Sequence, residues 1–517
     1  METVFAFLRR HAILLLIAIT FIVYIPSFFG GFLWDDEDFV FANQDVTDFN
    51  VEKFFTDSAT AGRGKISNYY RPLQLITYAV EHKLVGFSPW FFHFSNVLWH
   101  IAAGVMLYLV LKTIRIPWGL AFGATLIFLL HPIQTEAVSY VSGRSDMMFV
   151  FFILLSFLCN QKKEKQFIIL SIIFFTCGLL SKESALLAFA LFPILSSIQY
   201  GFTREFSRAI KRFIPHLIIG LSYLVLRLSV LEFSSTQQAW EAVGYRLYAT
   251  SLPVRLATFF RNYFFYWQVL LFPFDLHMER DESTVKIVTS MVSKWTGLFV
   301  FTQVCLMGAI IWLYRKSRTY GRIALGGYLG MHAVMGFYSG LILLNGIFYE
   351  HYLYSALPFV VLFLGTFIAA AQVRIRTIAL LLIGIWILGF GIYYHIHRQF
   401  DWQDPIRFYT QTLEYAPRSV RIINGLGMAY AQEKKYDQAL ATYKWGISVY
   451  PTTPNFHHNI GNLYYRQGKY KQAEQYLLKA LEVDPQFYFS AQLLVDLYTK
   501  VGNKNKAEAI IQRYYED

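Results

Sequence analysis

The chain has 517 residues, of which 55% are hydrophobic, 18% are aromatic and only 15% are charged. A soluble chain of this length carries roughly a quarter charged residues, so the composition excludes an ordinary soluble enzyme and favours a polytopic membrane protein. The net charge of +12 does not indicate nucleic-acid binding, because the Lys and Arg residues sit in short loops between apolar runs. The three cysteines all fall inside apolar runs, so no disulfide framework is predicted.

A membrane-spanning helix needs about 20 apolar residues. Eleven segments meet or approach that length: 13–33, 96–113, 117–131, 146–160, 166–181, 184–199, 212–231, 296–314, 322–342, 353–371 and 377–395. The segment 254–274 is also apolar, but counting it as a crossing would move the basic stretch 314–322 to the outer side. We therefore predict an interfacial or re-entrant helix there.

The basic loops predict the orientation. Lys and Arg concentrate on the cytoplasmic side of membrane proteins, and here alternate loops carry them, at 9–10, 112–115, 161–165, 203–212, 314–322 and 373–376. An odd number of spans then puts the N-terminus inside and the C-terminus outside. The first apolar segment is expected to be an uncleaved span, since no small-residue cleavage site follows it. The sequence contains no Asn-x-Ser/Thr acceptor site, which favours a bacterial inner membrane with a periplasmic site and periplasmic repeats, or an endoplasmic reticulum membrane with a luminal site if the source is eukaryotic.

A 34-residue period begins after residue 395. Small residues, tyrosines, alanines and prolines recur at this step: Gly427 and Gly461; Tyr430, Tyr464 and Tyr498; Ala439, Ala473 and Ala507; Pro417, Pro451 and Pro485. This period and residue pattern are typical of tetratricopeptide repeats, about three and a half of them. The predicted fold is all-α: a membrane bundle of about eleven helices at 1–398, followed by a repeat solenoid at 399–517 on the outer face.

Four consecutive carboxylates, Asp35, Asp36, Glu37 and Asp38, follow the first apolar segment. A charge at the bilayer centre costs about 2.5–3.5 kcal/mol on insertion scales, so the cluster is expected to mark the end of the first span. A solvated helix end is one interpretation, but capping does not require four acids. Crowded carboxylates repel each other, and at least one then holds its proton more tightly than a free Asp, which is how a catalytic base is tuned. A divalent metal between the acids is a third interpretation, favoured less.

Several cations lie on loops that are predicted to face outward, against the usual distribution of charge. Arg71 follows two tyrosines and suits either a phosphate ligand or an interfacial anchor, and Arg144 and Lys182 share the outer side. A phosphate-bearing lipid substrate with an acidic catalytic base would need this combination of acids and cations. Other candidates on these loops, some with simpler capping or packing interpretations, are Tyr70, His93, Glu136, Asp146, Glu350, His351 and Tyr352.

The order of the motifs identifies a family resemblance. "WDDEDFVFANQDV", "YYRPLQLITYAVEHKLVGFSPWFFHFSNVLWH", "HPIQTEAVSYVSGRSD", "SKES", "PVRLATFFRNYFFYWQVLLFPFDL" and "YEHYLY" precede the repeats. With this order the sequence resembles the transmembrane and tetratricopeptide-repeat-containing O-mannosyltransferases and their bacterial relatives, within the C-type glycosyltransferase superfamily. The family's paired acids match Asp35 and Asp36, its Tyr-Arg-Pro-Leu matches 70–73, and its Gly-Arg-x-Asp matches 143–146. Its Glu-Arg-x-Leu-Tyr departs here, because His351 stands where the family has Arg.

The resemblance implies transfer of one sugar, mannose favoured, from a polyprenyl-phosphate donor to a hydroxyl, with a Ser or Thr of a protein acceptor bound by the repeats as the first choice. Asp35 or Asp36 would be the base of an inverting displacement, and Arg71, Arg144 and Lys182 would bind the donor phosphate at the membrane lipid. No cofactor is expected, and no nucleic-acid partner. Two alternatives stay open: an acceptor that is a glycolipid or surface polymer, and a non-catalytic membrane scaffold whose repeats bind partners.

Overall fold

The computed structural model describes residues 2–62, 69–201, 211–229, 231, 233, 235–237, 245–280 and 285–515. These described residues form helices and loops without a β-strand, as the all-α prediction requires. The chain divides into two compact units, Met1–Met278 with Val285–Gln403, and Glu279–Thr284 with Asp404–Asp517. The predicted basic loop 203–212 lies, up to residue 210, outside the described residues.

The first unit is a bundle of helices joined by short turns. Its α-helices are Glu2–Arg10, Ala12–Val23, Gln44–Asp48, Val51–Thr56, Pro72–Val85, Pro89–Thr113, Trp118–Leu130, Thr135–Ser139, Arg144–Asn160, Lys165–Ser181, Ala188–Tyr200, Ile214–Ser229, Arg246–Thr250, Leu252–Leu271, Lys294–Lys316, Arg318–Gly336, Leu357–Ala370, Val373–Trp386 and His395–Asp401. Single 3-10 or π turns lie at Ile25–Phe29, Glu37–Phe41, Ser58–Gly62, Pro132–Gln134, Val141–Gly143, Glu183–Leu187, Phe337–Leu341, Glu350–Leu353 and Ile387–Tyr394.

Each of the eleven predicted spans overlaps at least one of these helices. Among the described residues, five helical stretches are long and apolar enough to cross a membrane: Pro89–Thr113, Val141–Asn160, Glu183–Tyr200, Lys294–Lys316 and Val373–Asp401. The bent pair Trp118–Leu130 and Pro132–Ser139 makes six if it is one span, and four further apolar helices are shorter. The chain therefore has the helices of a membrane protein, and the count of eleven crossings stays a prediction.

The first predicted span is broken, which corrects the position expected for the acidic cluster. Its α-helix ends at Val23, and a 3-10 turn with Pro26 in its first turn follows. Proline has no amide hydrogen to donate, so it cannot continue the helical ladder. Gly30 then takes an extended conformation. The four acids consequently lie beyond the helix and do not mark its end: Asp35 and Asp36 precede the π turn Glu37–Phe41, and Glu37 and Asp38 begin it.

Close helix packing depends on glycine where two backbones approach. A Cβ at Gly327, in Arg318–Gly336, would lie 2.8 Å from the carbonyl oxygen of Phe359 and from the amide nitrogen of Phe363 in Leu357–Ala370. Small residues at such contacts are typical of membrane helix pairs, where tight van der Waals packing stabilises association. This contact joins the two helices that flank the loop at 337–356.

The predicted boundary between 398 and 399 falls inside the helix His395–Asp401, which belongs to the first unit. The buried Gln399 explains this. Its Nε2 donates to the carbonyl oxygen of Val23 at 2.8 Å, and its Oε1 accepts from the amide of Ser27 at 3.1 Å. These hydrogen bonds join the helix to the segment that leads into the acidic cluster.

The second unit consists of paired amphipathic helices. They are Pro405–Tyr415, Val420–Gln432, Tyr436–Val449, Pro454–Arg466, Tyr470–Val483, Tyr488–Lys500 and Lys504–Tyr515. One helix followed by three pairs is the three and a half repeats that the period predicts. Glu279 also belongs to this unit, because its carboxylate accepts from Ser419 Oγ at 2.6 Å and pairs with Arg421 at 3.2 Å.

Candidate functional site

The two leading acids, Asp35 and Asp36, occupy different environments. Asp36 is only 1% exposed, and its carboxylate accepts three hydrogen bonds. Ser142 donates to Oδ1 through its amide at 2.8 Å and its hydroxyl at 2.6 Å, and the amide of Leu33 donates to Oδ2 at 2.9 Å. Burial raises the pKa of Asp36 to about 7, although these hydrogen bonds act in the opposite direction. Asp36 thus fastens the acidic loop to the loop at 141–142.

Asp35 is half-buried and lies beside two tyrosines. Its backbone amide donates to the hydroxyl of Tyr140 at 3.1 Å. Burial and the charge of Asp35 raise the pKa of Tyr69, and burial with the charges of both aspartates raises that of Tyr140. Asn345 donates to the Tyr69 hydroxyl at 3.2 Å. Of the two acids, Asp35 is therefore the less buried.

Arg71 contacts Tyr69, on which the charge of Asp35 also acts. Its guanidinium stands over the ring of Tyr69, 4.4 Å from the ring centroid. Its Nε is buried and has no hydrogen-bond partner among the residues that the structure describes. Burial, the largest single influence, lowers the pKa of Arg71, but nearby charges led by Glu183 together raise it above its ordinary value. A buried cation with an unused donor is suited to an anionic ligand.

Lys182 and Asp146 form a buried ion pair near Arg71. Lys182 Nζ lies 2.7 Å from both carboxylate oxygens of Asp146, and the two side chains are 5% and 4% exposed. Burial lowers the pKa of Lys182, while Asp146 acts to raise it. Asp146 therefore holds a cation in place and does not simply cap its own helix.

Arg144, predicted to bind phosphate, is fully engaged elsewhere. It is 0% exposed, and its nitrogens donate to both carboxylate oxygens of Glu81 at 2.6 and 2.9 Å. The remaining donors reach Asn96 Oδ1, Thr77 Oγ1 and the carbonyl oxygen of Phe92. A guanidinium has five N–H groups, and these contacts use all of them. Arg144 has no donor left for a phosphate and is removed from the candidate site, because its role is to hold helices together.

A second acidic network lies on the loops at 132–139 and 349–354. Glu136 Oε1 is 2.5 Å from His351 Nδ1, and its Oε2 accepts from the amides of Glu350 at 2.8 Å and His351 at 3.3 Å. Glu350 is fully buried, pairs with Arg398 at 2.5 Å and accepts from the amide of His277 at 2.6 Å. The family that the sequence resembles has Arg at position 351, where this chain has His. The cation that pairs with Glu350 is instead Arg398.

Three further candidates have structural contacts. The hydroxyl of Tyr70 donates to the carbonyl oxygen of Phe55 at 2.9 Å. His93 is buried, with Nε2 3.2 Å from the carbonyl oxygen of Gly31, so it supports the loop before the acids. The ring of Tyr352 stacks on Tyr338 with centroids 4.2 Å apart, and its hydroxyl reaches the carbonyl oxygen of Gly346 at 3.4 Å.

Sequence reasoning passed over several residues that shape the site. Tyr69 and Tyr140 stand within the motifs that carry Arg71 and Arg144, so reading those motifs residue by residue would have included them. Asn345 has no comparable signal, since it reaches Tyr69 from 276 positions away in the chain. Within the described residues, no group of three or more His, Cys, Asp and Glu side chains is arranged to hold a metal ion.

Known proteins resemble both parts of the chain. A tetratricopeptide repeat family matches residues 454–487, and a second TPR repeat family matches 427–468. Human protein O-mannosyl-transferase TMTC3 is 24% identical over 516 residues, which covers 92% of this chain and 55% of the relative. A protein O-mannosyl-transferase of Caenorhabditis elegans is 23% identical over 493 residues, covering 92% and 63%.

A shorter segment is more similar to another relative. Mouse protein O-mannosyl-transferase TMTC1 is 32% identical over 180 residues, 31% of this chain and 19% of the relative. The chain spans 55% of the length of the human relative. These alignments, which extend over nine tenths of the chain, confirm the family resemblance that the motif order predicts.

Proposed function

We propose that this protein transfers a single sugar, mannose favoured, from a polyprenyl-phosphate donor to a hydroxyl of a protein acceptor. The observation that carries the proposal is the pairing of the half-buried Asp35 with the buried cation Arg71, since the charges of both act on Tyr69, together with the buried Lys182 near Arg71. The relatives are named protein O-mannosyl-transferases, which supports the reaction class, and the site residues are of the types that could provide the two functions such a reaction needs. These are a base for the acceptor and positive charge for the departing phosphate.

The phosphate end of the donor would lie against Arg71 and Lys182. When the sugar–oxygen bond breaks, the phosphate keeps the bonding electrons and gains negative charge. Cations held in a poorly hydrated site stabilise this charge without reorganising during the reaction. Arg71 has an unused buried donor, and Lys182 is held rigidly by Asp146. The phosphate is a good leaving group, so this arrangement does not require a general acid.

Asp35 would act as the general base toward the acceptor hydroxyl. A hydroxyl is a poor nucleophile at neutral pH, and a positioned base accelerates such a step by roughly 10²–10⁴-fold. Asp36 is the weaker candidate, because three donors already occupy its buried carboxylate. We assign Asp36 the role of positioning the loop that carries Asp35.

One base and one leaving group favour a single displacement. The acceptor oxygen attacks the anomeric carbon from the face opposite the phosphate, its proton passes to Asp35, and the configuration at that carbon inverts. Retention would need a second carboxylate to form a covalent sugar intermediate. The account therefore predicts an inverted product.

The repeats would bind the protein acceptor, on the outer side of a bacterial inner membrane. Stacked helix pairs of this kind present an extended surface suited to a peptide. Deletion of 420–517 should then reduce transfer to protein while hydrolysis of the donor continues. Loss of both reactions would assign the repeats to folding of the chain.

The proposal is tested with purified protein in detergent, radiolabelled polyprenyl-phosphate mannose or glucose, and an extract of periplasmic proteins. Wild type and Asp35→Asn are compared, with and without a chelator. Label that reaches protein in wild type alone supports the proposal. Label that reaches only lipid or polymer keeps the transferase and rejects the protein acceptor. Folded wild type that turns over no donor would favour the scaffold instead.

A further inference from the structure

His351 is held in one orientation by a buried acid. Glu136 is 1% exposed, and its Oε1 lies 2.5 Å from the ring nitrogen Nδ1. Its other oxygen accepts from the amides of Glu350 and His351, so the carboxylate binds the backbone and the ring of the same turn. All three contacts suit a carboxylate that only accepts hydrogen bonds. Burial raises the pKa of Glu136 to about 8, against the charge of Arg398 and these amide hydrogen bonds. With Glu136 ionised, Nδ1 carries the hydrogen and Nε2 carries the lone pair.

Two tyrosines pack against this imidazole, and one edge of the ring faces Glu136. One ring face stacks on Tyr349, with centroids 5.2 Å apart and planes 18° apart, and Tyr352 meets the ring edge-on at 4.9 Å. The His351 side chain nevertheless stays 22% exposed, against 1% for Glu136. Because Nδ1 faces Glu136, the open edge is the one that carries Nε2. Burial lowers the pKa of His351 to about 3, so the ring is neutral and Nε2 is a hydrogen-bond acceptor.

The open edge belongs to the same neighbourhood as the cations assigned to the donor phosphate. The charges of Lys182, Asp146 and Arg71 all act on the His351 ring. In a polyprenyl-phosphate sugar the hexose is attached directly to the phosphate. A phosphate bound by Arg71 and Lys182 would therefore place the sugar hydroxyls close to these cations, in the neighbourhood of His351. A neutral acceptor fixed at this place suits a hydroxyl better than a second anionic oxygen.

We propose that His351 is a specificity-determining residue that accepts, through Nε2, a hydrogen bond from one hydroxyl of the donor sugar, with Glu136 positioning the ring. The inference rests on the proposed function and assigns to this chain a sugar contact at the position where it departs from the Glu-Arg-x-Leu-Tyr motif of the family it resembles. A site that hydrogen-bonds a substrate hydroxyl discriminates against an analogue that lacks the group, because the buried protein partner is then left unpaired.

The test uses four donors that each lack one hydroxyl, at carbon 2, 3, 4 or 6 of the sugar, and measures kcat/KM for each. In wild type, removal of the hydroxyl that His351 contacts should lower kcat/KM about tenfold, the scale of one hydrogen bond. In His351→Phe, which keeps the aromatic stacking, the same deoxy donor should match the complete donor within about twofold. The penalties for the other deoxy donors should persist.

Two further variants are measured with the same deoxy donors. Glu136→Gln should reduce the penalty for the same deoxy donor, because the amide no longer fixes the ring, and this variant carries the test if His351→Phe does not fold. His397→Phe, the same substitution at an exposed histidine, should keep the wild-type pattern. Unchanged deoxy penalties in His351→Phe and Glu136→Gln, or one common loss for every donor, would overturn the assignment. No transfer from any donor by wild type would instead refute the proposed function.

Discussion

The buried carboxylate of Asp36 and its three hydrogen bonds give the most detailed prediction. Asp36→Ala removes a carboxylate that accepts from Leu33 and twice from Ser142, and leaves two backbone amides without a partner. Each buried unsatisfied donor costs about 1–3 kcal/mol. We therefore expect Asp36→Ala to lower the free energy of unfolding by about 3–5 kcal/mol. Ser142→Ala removes only the hydroxyl donor and should cost about 1–2 kcal/mol.

The same carboxyl predicts a dependence on pH. Its pKa is raised by burial from an ordinary 3.8 to about 7, so the folded state prefers the protonated form. The stability that this group contributes is fully present below the unfolded pKa and is lost as the pH rises through about 7. Between pH 5 and pH 8.5 wild type should lose on the order of 3 kcal/mol relative to Asp36→Asn, which does not titrate.

Thermal unfolding in detergent, followed by tryptophan fluorescence across this pH range, measures both effects. Asp48→Asn is the control, since Asp48 is exposed and should change stability by less than about 0.5 kcal/mol. The reasoning is refuted if Asp36→Ala unfolds like wild type. It is also refuted if Asp36→Asn abolishes transfer without loss of stability while Asp35→Asn remains active, because Asp36 would then face the acceptor.

Two ion pairs give further predictions. Glu81→Gln leaves the buried Arg144 guanidinium without its ion-pair partner. Thermal unfolding should then show a loss of about 3–5 kcal/mol in the free energy of unfolding, with the KM for the donor unchanged. The control is Lys53→Met, which breaks an exposed pair with Asp45 and should cost less than about 1 kcal/mol. A raised donor KM in stable Glu81→Gln would return Arg144 to the phosphate site. Removing a whole pair with Lys182→Met and Asp146→Asn should preserve the fold and raise the donor KM about tenfold or more; an unchanged KM would exclude Lys182 from donor binding.

The sequence predicts those features that depend on local pattern. Apolar runs locate the helices, and a 34-residue step locates the repeats, because each follows from the periodicity of one element. The helix break at Pro26 can also be predicted from the sequence, but the apolar run continues across the proline and suggests one unbroken span. The partner of Arg144 cannot be predicted from local pattern, since Glu81 lies 63 residues away and only the fold brings the two side chains together.

The same distinction between local pattern and long-range contact applies to the candidate site. The motifs predict Asp35, Asp36 and Arg71 as site residues, but residue type alone does not distinguish a carboxylate that would contact a ligand from one that holds a loop in place. That distinction depends on Ser142 and Tyr140, which contact the two acids from more than a hundred positions away. His351 shows the converse, because the role that we propose for it rests on its contact with Glu136 and not on the motif around it.

The central claim, that Asp35 is the base of a glycosyl transfer, is tested most directly by single-turnover transfer of labelled mannose from polyprenyl phosphate to acceptor protein. Wild type and Asp35→Asn are compared at equal folded concentration and saturating donor. Asp35 is half-buried, so its substitution should leave thermal unfolding and donor binding close to wild type. The account predicts a fall in the transfer rate of about 10²–10⁴-fold. Folded Asp35→Asn that transfers mannose at the wild-type rate would contradict it.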